Sequence, residues 1–458
     1  MNKQVVETTD AAETELLLRI LSEATDVFVK KLSNNDRGWA KIPKQNKQDG
    51  PYIPREQRDA RFFPPLVRKE RPDPDSPEIR EVFFDTHWPA FGVVRNSRLV
   101  NYRSKDEETH LTGVPREAFS ELSPASFLLI GRTVSRGATR FDCLTIDSAS
   151  DTASILIDRL ELEVGFEAGI LSPAIKQDQL RDQLLAFADE VLAAWRRGQI
   201  ERFAEERGAI PDTATLAGLA RQEYLMKQGR TTLDPYELTH PGDAIREISR
   251  VIELRIFREH QLRACAVSLV RLLVGDDPKK ASVAGIARRL IESVREIDAL
   301  MLSASQQRRS RAGYSFEHHI EALLQAGKAP YEKQVVIEAR KRPDFILPSL
   351  KHLRKPSVGQ DLGLILSAKT TLRERWKQVQ REMGGNELFL ATVDENIAGN
   401  AIADMATLGI YLVVPEALKA GGSGESAVTE YHGHTNVLSF RQWFDDVLAP
   451  RLSSWACR

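Results

Sequence analysis

The chain has 458 residues, of which 42% are hydrophobic, and a formal net charge of −1 at pH 7. That length and apolar content predict two domains, each with its own core. A charge so near zero argues against a protein that coats DNA indiscriminately, although a sequence-specific binder can concentrate basic residues in a cleft.

Cysteine use and hydropathy indicate the compartment. The three cysteines are widely scattered and fit neither a zinc spacing nor a disulfide framework: Cys143, Cys265 and Cys457. A signal peptide is not indicated, because the basic start and the continuous apolar stretch are missing from the opening MNKQVVETTDAAETELLL. No window reaches the apolar length of a membrane span. We therefore expect a cytoplasmic protein with no membrane partner.

The front of the chain has the pattern of a β-rich module. Apolar residues at helical spacing predict a helix over residues 13–32, and residues 33–78 have the composition of loops. Short strands are predicted at residues 81–84, 127–131, 141–146 and 160–164. Many short strands with few helices are typical of barrels, so we expect a β-barrel-like domain over residues 1–172.

Helices dominate the middle of the chain and alternate with strands at its end. Helices are predicted at residues 176–207, 243–275 and 281–303, and the first, highly charged, indicates a helical linker over 173–235. Further on, helices are predicted at 315–326, 371–382 and 398–407, and strands at 333–338, 343–347, 362–369, 387–393 and 409–414. This alternation predicts an α/β core with a central mixed sheet over 236–458, and the whole chain is a multidomain α+β protein.

Two polar residues flank short apolar runs in this core. Asp344 follows Pro343 and begins one run, and Lys369 ends another. Adjacent strands would bring the carboxylate and the ammonium to one end of the sheet. There, a carboxylate can hold a divalent metal and a lysine can orient water beside a scissile phosphate. On its own the pair is a weak signal, because Pro-Asp also begins turns and Lys often ends strands.

Four segments strengthen the interpretation of Asp344 and Lys369 as a nuclease site: residues 308–317 (RRSRAGYSFE), 342–349 (RPDFILPS), 368–378 (AKTTLRERWKQ) and 411–415 (YLVVP). With this order and spacing, the last third of the chain resembles the EcoRII-type restriction endonucleases of the PD-(D/E)xK superfamily. Three segments at the front are similar to the effector-binding domain of that family: residues 31–36 (KLSNND), 51–54 (PYIP) and 94–96 (VRN).

The resemblance implies a magnesium-dependent nuclease site. The usual motif has an acid two residues before the lysine, but Ser367 occupies that position, and the family's swapped arrangement assigns the acid to Glu382. Asp344 and Glu382 would then bind Mg²⁺, and Lys369 would position the attacking water. Glu317 matches an acidic residue near the family's metal cluster, and it is equally explained as a helix-start glutamate favoured by the macrodipole. His318 and His319 point about 100° apart on a helix, so surface or DNA-facing roles are expected for them.

DNA contacts are also implied. The side chains of Arg373, Glu374 and Arg375 match the hydrogen-bonding edges of G·C pairs, as in the family's CC/GG-flanked sites such as CC(A/T)GG. Without the resemblance they would be a solvated charge run. Arg250 is the candidate for a flipped-base pocket, chosen among several arginines of one helix. A further set of basic residues is expected to contact phosphates: Arg308, Arg309 and Arg311. In the front domain, the positions that match the effector-DNA cleft are Tyr52, Arg95, Asn96 and Arg98.

Three functional hypotheses follow. The first is a type II restriction endonuclease whose front domain binds a second DNA site and regulates cleavage, working beside a cognate DNA methyltransferase. The second is a non-cleaving, sequence-specific DNA-binding protein on the same frame, and the third is a nuclease that senses methylcytosine. Cleavage of both strands of a near-palindromic site requires two active sites, so we expect a homodimer with its interface near residues 243–303.

Overall fold

The structure is a computed structural model that describes residues 3–41, 49–69, 78–102, 108–148, 150–162, 166–275, 281–335, 342–354, 362–370, 372, 387–395, 397–420 and 430–456. It divides into two compact units, one made mainly of Met1–Gln179 and one made mainly of Leu180–Asp394, Gly399–Ala420 and Tyr431–Arg458. No helix within the described ranges is long and apolar enough to cross a membrane.

The first unit is built on a mixed sheet. Its strands are β1 Asp26–Lys31, β2 Val67–Arg68, β3 Ile79–Trp88, β4 Val93–Tyr102, β5 Glu108–Thr112, β6 Phe127–Ser135, β7 Ala138–Ile146 and β8 Ala168–Leu171. Its helices are α1 Lys3–Glu23, α2 Asn34–Lys41, α3 Arg55–Asp59, α4 Glu117–Ser120 and α5 Asp151–Leu160, with a 3₁₀ turn at Pro89–Phe91.

The strand order in this unit is β5-β4-β3-β7-β6-β1-β8, with β2 paired to β3. Strands β3 and β7 are parallel and the other neighbours are antiparallel. Both faces are buried. Val27 and Val29 of β1 pack in a cluster with Leu17 of α1 and Leu156 of α5, and Phe28 packs on the opposite face. Over the described strands, β5 and β8 are edges that do not pair with each other, so closure into a barrel stays a prediction.

Three predictions for this unit are wrong in detail. The helix predicted over 13–32 ends at Glu23, because the apolar run that follows is a strand buried on both faces. Residues 33–78 contain α2, which begins with reciprocal Ser33 and Asp36 hydrogen bonds that mark a helix start. No strand is present over the described part of 160–164. The α5 helix, capped by the Ser150 side chain, extends to Leu160 instead.

The second unit is rich in helices. Helix α6 Pro173–Arg196 crosses the boundary between the units, which follows Gln179. The helices wholly within the second unit are α7 Ile200–Arg207, α8 Thr213–Gln228, α9 Pro241–Glu247, α10 Glu253–Val274, α11 Val283–Glu292, α12 Val294–Ala326, α13 Leu350–Leu353, α14 Gly399–Thr407, α15 Glu416–Ala420, α16 Phe440–Gln442 and α17 Ala449–Ala456. Two segments are π-helical, Ile248–Ile252 and Trp443–Leu448.

The sheet of this unit has the order β14-β13-β12-β11-β10-β9. Its strands are β9 Glu332–Lys333, β10 Phe345–Leu347, β11 Leu364–Lys369, β12 Glu387–Thr392, β13 Ile410–Val414 and β14 Val437–Ser439. Strands β9 to β11 are antiparallel, and β11 to β14 are parallel. The mixed sheet predicted for this part of the chain is therefore confirmed. Apolar residues of α12 pack on it, so this helix lies directly beside β10 and β11.

Most predicted elements of the second unit are confirmed, with three differences. The predicted helix 176–207 is divided at residues 197–199 into α6 and α7. The predicted helices 281–303 and 315–326 join in the 33-residue α12, preceded by α11. The basic segment of residues 308–311 therefore lies within a helix. Of the predicted strand 333–338, the described residues form only the two-residue strand β9. The predicted helix 371–382 lies outside the described residues, apart from Leu372.

Candidate active site

The sheet brings Asp344 and Lys369 together. Strand β10 begins just after Asp344 and pairs antiparallel with β11, with Phe345 opposite Leu366. This register places Asp344 beside the end of β11, where its Oδ2 accepts hydrogen bonds from the Ala368 backbone N–H at 2.8 Å and the Lys369 Nζ at 2.7 Å. The predicted meeting of these two side chains at one sheet end therefore occurs in the structure.

Glu317 joins the pair from α12. Its side chain is buried, and Gln334 Nε2 donates to its Oε2 at 3.4 Å. Burial raises the pKa of Glu317, the charge of Asp344 raises it further, and Lys369 and Gln334 partly lower it. The structure thus brings together two carboxylates and one ammonium that are spread over 53 positions of sequence, from Glu317 to Lys369.

This donor set fits a divalent cation. A buried carboxyl whose pKa is raised by a second carboxylate is stabilised by a positive ion between them, and carboxylate oxygens are the ligands that hard divalent ions prefer. Ser367, two residues before Lys369, is fully buried and supplies no charge. A third carboxylate must then come from another segment. Glu382, the predicted third acid, lies outside the described residues.

Comparison with known proteins identifies this region. Residues 279–428 match the family model described as EcoRII C terminal. The chain is 34% identical over 138 residues to the type II restriction enzyme EcoRII of Escherichia coli, covering 30% of this chain and 34% of that protein. It is 30% identical over 157 residues to the type II restriction enzyme SsoII of Shigella sonnei, covering 32% of this chain and 49% of that protein. This part of the chain is similar to the C-terminal part of the EcoRII-type enzymes.

The resemblance read from the sequence of the last third is thereby confirmed. The chain spans between a third and a half of the length of these curated relatives. Among solved structures, metal-depleted Ecl18kI in complex with uncleaved, modified DNA is similar, with 22% identity and a TM-score of 0.43, over 56% of this chain and 83% of that one.

The EcoRII-type region also contains predicted DNA-contacting residues that the structure describes in part or not at all. Arg373, Glu374 and Arg375 lie outside the described residues. The basic cluster of three lies on α12, and its side chains are likewise not described: Arg308, Arg309 and Arg311. For these six residues the proposed contacts stay predictions.

Arg250 lies in the π-helical segment Ile248–Ile252, upstream of the family match. Its side chain is half-buried, and its Nε is buried without a hydrogen-bond partner among the described residues. Segments of π-helix are uncommon and often occur at functional sites. An arginine with an unpaired buried donor in such a segment is consistent with a ligand-contacting role.

In the first unit, three of the four predicted effector contacts lie on one side of the sheet and Arg95 lies on the other. Asn96 and Arg98 point to the same side of β4, where Asn96 Nδ2 donates to Asp85 at 3.0 Å and Arg98 Nε donates to Glu81 at 2.6 Å. Arg95 is exposed and alternates to the other side.

Tyr52, the fourth predicted effector contact, pairs with His110 of β5, which stands opposite Val100 on the same side of the sheet as Arg98. Its ring packs edge-on against His110 and under the ammonium of Lys30, and its backbone N–H donates to Asp36.

Sequence reasoning missed two polar residues near the site and misplaced a third. Asp394, at the end of β12, is buried, and its Oδ2 accepts from the Leu372 backbone N–H at 2.7 Å, three residues after Lys369. An acid directly after an apolar strand was the available signal. Glu253 is also buried. The surface or DNA-facing role predicted for His319 is wrong, because its side chain is fully buried. His318 is half-exposed.

A second group of potential metal ligands has a structural explanation. Ligand atoms of His240, Asp243 and Glu416 lie within 4.8 Å of one another. Both carboxylates, however, cap helix starts. Glu416 accepts from the backbone N–H groups of Asp243 at 3.0 Å and Arg441 at 2.8 Å, and Asp243 accepts from that of Ala417 at 3.1 Å. These bonds account for the group as reciprocal helix capping.

Proposed function

We propose that this chain is a site-specific type II restriction endonuclease that hydrolyses phosphodiester bonds of double-stranded DNA. The observation that carries the proposal is the contact between Asp344 and Lys369, with Glu317 beside it, in a segment of EcoRII type. Curated relatives of that segment are type II restriction enzymes. The three side chains provide both functions that phosphodiester hydrolysis needs, anionic ligands for a metal and a cation close to the phosphate.

In this proposal Asp344, Glu317 and Glu382 would hold Mg²⁺. A bound divalent ion would polarise the scissile phosphate and lower the pKa of bound water. Lys369, held by the Asp344 carboxylate, orients the attacking water and offsets the negative charge that develops on the phosphate. The water oxygen forms a bond to phosphorus as the bond to the leaving sugar oxygen breaks in line. Because the side chains of Asp344 and Glu317 are buried, they limit the bulk water that competes for the metal.

For recognition, we propose that Arg373, Glu374 and Arg375 read the G·C pairs of a CC/GG-flanked, CCWGG-like site. Their position four to six residues after Lys369 links base readout directly to the active site. Arg250 is proposed to contact a base extruded from the duplex, as its unpaired Nε permits. Phosphate contacts are assigned to the basic residues of α12: Arg308, Arg309 and Arg311.

Regulation and partners complete the proposal. Residues 1–172 form the effector domain, which binds a second DNA site through Tyr52, Arg95, Asn96 and Arg98. Residues 173–235 form the helical linker, and residues 236–458 form the catalytic domain. The enzyme acts in the cytoplasm, beside a DNA methyltransferase that protects the host's own sites.

A homodimer is proposed because two strands must be cut. The helical region 243–303 offers an apolar surface for it. In α11 and the start of α12, Val283 is 85% exposed, Ile291 is 75% exposed and Val294 is 59% exposed. Large apolar side chains exposed at helical spacing are typical of a surface that pairs with another chain.

Digestion of plasmid DNA tests the function. Unmethylated and cytosine-methylated plasmids carrying several sites are incubated with the protein and Mg²⁺, beside the Lys369→Ala variant, and the ends are sequenced. Discrete fragments from the unmethylated plasmid, absent with the variant, are expected. Cutting of only the methylated plasmid would identify a modification-dependent nuclease. Tight specific binding without cutting of either plasmid would identify a DNA-binding protein.

A further inference from the structure

A buried polar network lies next to Glu317, and the proposed mechanism does not use it. The carboxylate of Glu253, on α10, contacts two side chains of α12. The ring Nε2 of His319 lies 2.6 Å from Glu253 Oε2, and the Ser315 hydroxyl donates to Glu253 Oε1. The side chains of Glu253, His319 and Ser315 are all buried.

The donors and acceptors of this network are ordered. Because a carboxylate only accepts, the Nε2 of His319 is the donor in its contact with Glu253. The opposite nitrogen, Nδ1, then faces Arg221 Nη1 of α8 at 3.5 Å, and Arg221 Nη1 also donates to the His318 carbonyl at 3.3 Å. The imidazole thus lies between an arginine and a glutamate, and three helices share one bonded set.

The network fixes one face of α12, and Glu317 lies on another. Ser315 and His319 are four residues apart and lie on the same face of the helix. Glu317 lies midway between them in sequence, so its side chain points roughly 160–200° away from theirs, at about 100° per residue. That direction leads toward Gln334, whose Nε2 donates to Glu317 at 3.4 Å and whose backbone N–H donates to the Asp344 carbonyl oxygen at 3.1 Å. The bonds to Glu253 therefore constrain the rotation of α12 from the side opposite Glu317.

Apolar packing alone determines this rotation less strictly. Phe316, Ile320 and Leu323 pack α12 in the core, but the hydrophobic effect that buries them is not directional. Hydrogen bonds depend on direction, and breaking one here leaves a buried polar group without a partner. A helix that must place one carboxylate beside another gains from such a directional constraint.

We propose that Glu253 is a positioning residue that, through Ser315 and His319, holds α12 in the rotation that places Glu317 beside Asp344. This inference rests on the proposed function for the role of Glu317, and it adds residues outside the Asp344–Lys369–Glu317 set. Glu253 also directly follows the π-helical segment that contains Arg250. The same carboxylate therefore joins the helix of the candidate metal ligand to the element of the candidate base contact.

The test compares two substitutions of His319 in the full-length protein. His319→Gln keeps an N–H donor at the position of Nε2, whereas His319→Leu has a similar volume and no donor. Mn²⁺ binding is followed by calorimetry, DNA cleavage by kcat and KM, and folding by thermal unfolding. Ser315→Ala removes the other donor, with Ser268→Ala on the exposed side of α10 as its control.

We expect His319→Leu to weaken Mn²⁺ binding and to lower kcat by about 10–100-fold, with KM for DNA unchanged, as for other residues that orient metal ligands. His319→Gln should restore both to within roughly threefold. If His319→Leu does not fold, Ser315→Ala tests the proposal instead, and we expect it to weaken Mn²⁺ binding and to lower kcat by a smaller factor.

Equal Mn²⁺ affinity in the parent and in folded His319→Leu would overturn the positioning role, and so would failure of His319→Gln to restore it. The two proposals separate clearly. If the parent cuts no DNA, but Mn²⁺ binding is weakened in His319→Leu and restored in His319→Gln, the positioning role is supported and the nuclease function is refuted. If the parent cuts DNA and the variants equal it in Mn²⁺ affinity and in DNA cleavage, the nuclease function is supported and the positioning role is refuted.

Discussion

The Nζ of Lys369 lies 2.7 Å from the Oδ2 of Asp344, and this contact joins the ends of two neighbouring strands. The same oxygen accepts from the Ala368 backbone, so the ammonium is held against a carboxylate that the sheet itself fixes. The Lys369 side chain keeps 29% of its surface exposed, which leaves the ammonium accessible to a phosphate. The pair is therefore both rigid and reachable.

Removal of the ammonium should stop chemistry without preventing binding. Lys369→Ala is expected to lower the rate of DNA cleavage by roughly 10²–10³-fold or more, since it removes one donor from the transition state. The affinity for specific DNA, measured by gel shift in EDTA, should remain near that of the parent. Lys351→Ala, an exposed lysine of α13, is the matched control. Cleavage by Lys369→Ala at the parent's rate would refute the site assignment.

Base readout is tested with Arg373→Ala. Loss of one bidentate contact to guanine should weaken specific binding by about 1–3 kcal/mol and reduce discrimination at one base pair. Binding to unrelated DNA should change much less. Titration of matched and single-substituted duplexes measures both quantities. Arg230→Ala, at an exposed position after α8, should leave them unchanged. An equal loss on every duplex would instead assign Arg373 to a phosphate.

The first unit contains a buried ion pair that predicts acid sensitivity. Asp36 is fully buried and lies 2.7 Å from the Nζ of Lys30. Burial by itself would raise the pKa of Asp36, but the attraction of Lys30 and the hydrogen bonds from Lys30, Tyr52 and Ser33 outweigh it and hold the pKa below its usual value. A carboxyl with a depressed folded-state pKa stabilises the fold above its unfolded pKa, and that stability is lost as the pH falls through the folded value.

Asp36→Asn should therefore cost about 3–5 kcal/mol of unfolding free energy at pH 7, because it leaves Lys30 buried without a countercharge. The difference from the parent should shrink as the pH falls below about 4, because Asp36 takes up a proton in the unfolded parent before it does so in the folded parent. Urea unfolding at a series of pH values measures it. A difference that stays constant down to pH 3 would contradict the assignment.

Regulation is tested by truncation. If the front domain regulates cleavage by inhibiting the catalytic domain until effector DNA binds, deletion of residues 1–172 should leave a nuclease that cuts single-site DNA at least as fast as the full chain. Thermal unfolding of the fragment verifies that it is folded. A folded fragment without activity would exclude autoinhibition by the front domain.

Assembly is tested at the exposed apolar surface of α11. The parent should have twice the 51.5 kDa mass of one chain by light scattering, and Ile291→Glu should shift it toward the monomer. Met226→Glu places the same charge at an exposed apolar site on α8 and serves as the control. A parent that is monomeric at all concentrations would contradict the dimer.

Sequence patterns determined the elements around the Asp344–Lys369 pair. Strands β10 to β13 coincide with continuous apolar runs of the sequence, which are typical of a sheet covered on both faces. A polar residue at the end of such a run lies at a sheet end by necessity. That geometry made the meeting of Asp344 and Lys369 at one sheet end predictable from the sequence, whereas their roles were implied by the resemblance.

Prediction from the sequence failed where a strand buried on both faces has the continuous apolar pattern of a helix. In β1, consecutive apolar residues extended a predicted helix past its end, because the alternation of Val27, Phe28 and Val29 is invisible when both sheet faces are apolar. The capping pair Ser33 and Asp36 was a local signal for α2 and was overlooked.

Only the tertiary structure decided the surroundings of Glu317. Its proximity to Asp344 depends on how α12 packs on the sheet, and two interpretations of this glutamate were equally good before that packing was known. The network of Glu253 with Ser315 and His319 joins residues 62 and 66 positions apart. No local periodicity carries such a contact, because the pairing of buried polar groups is fixed by the docking of helices and not by the preference of any one of them.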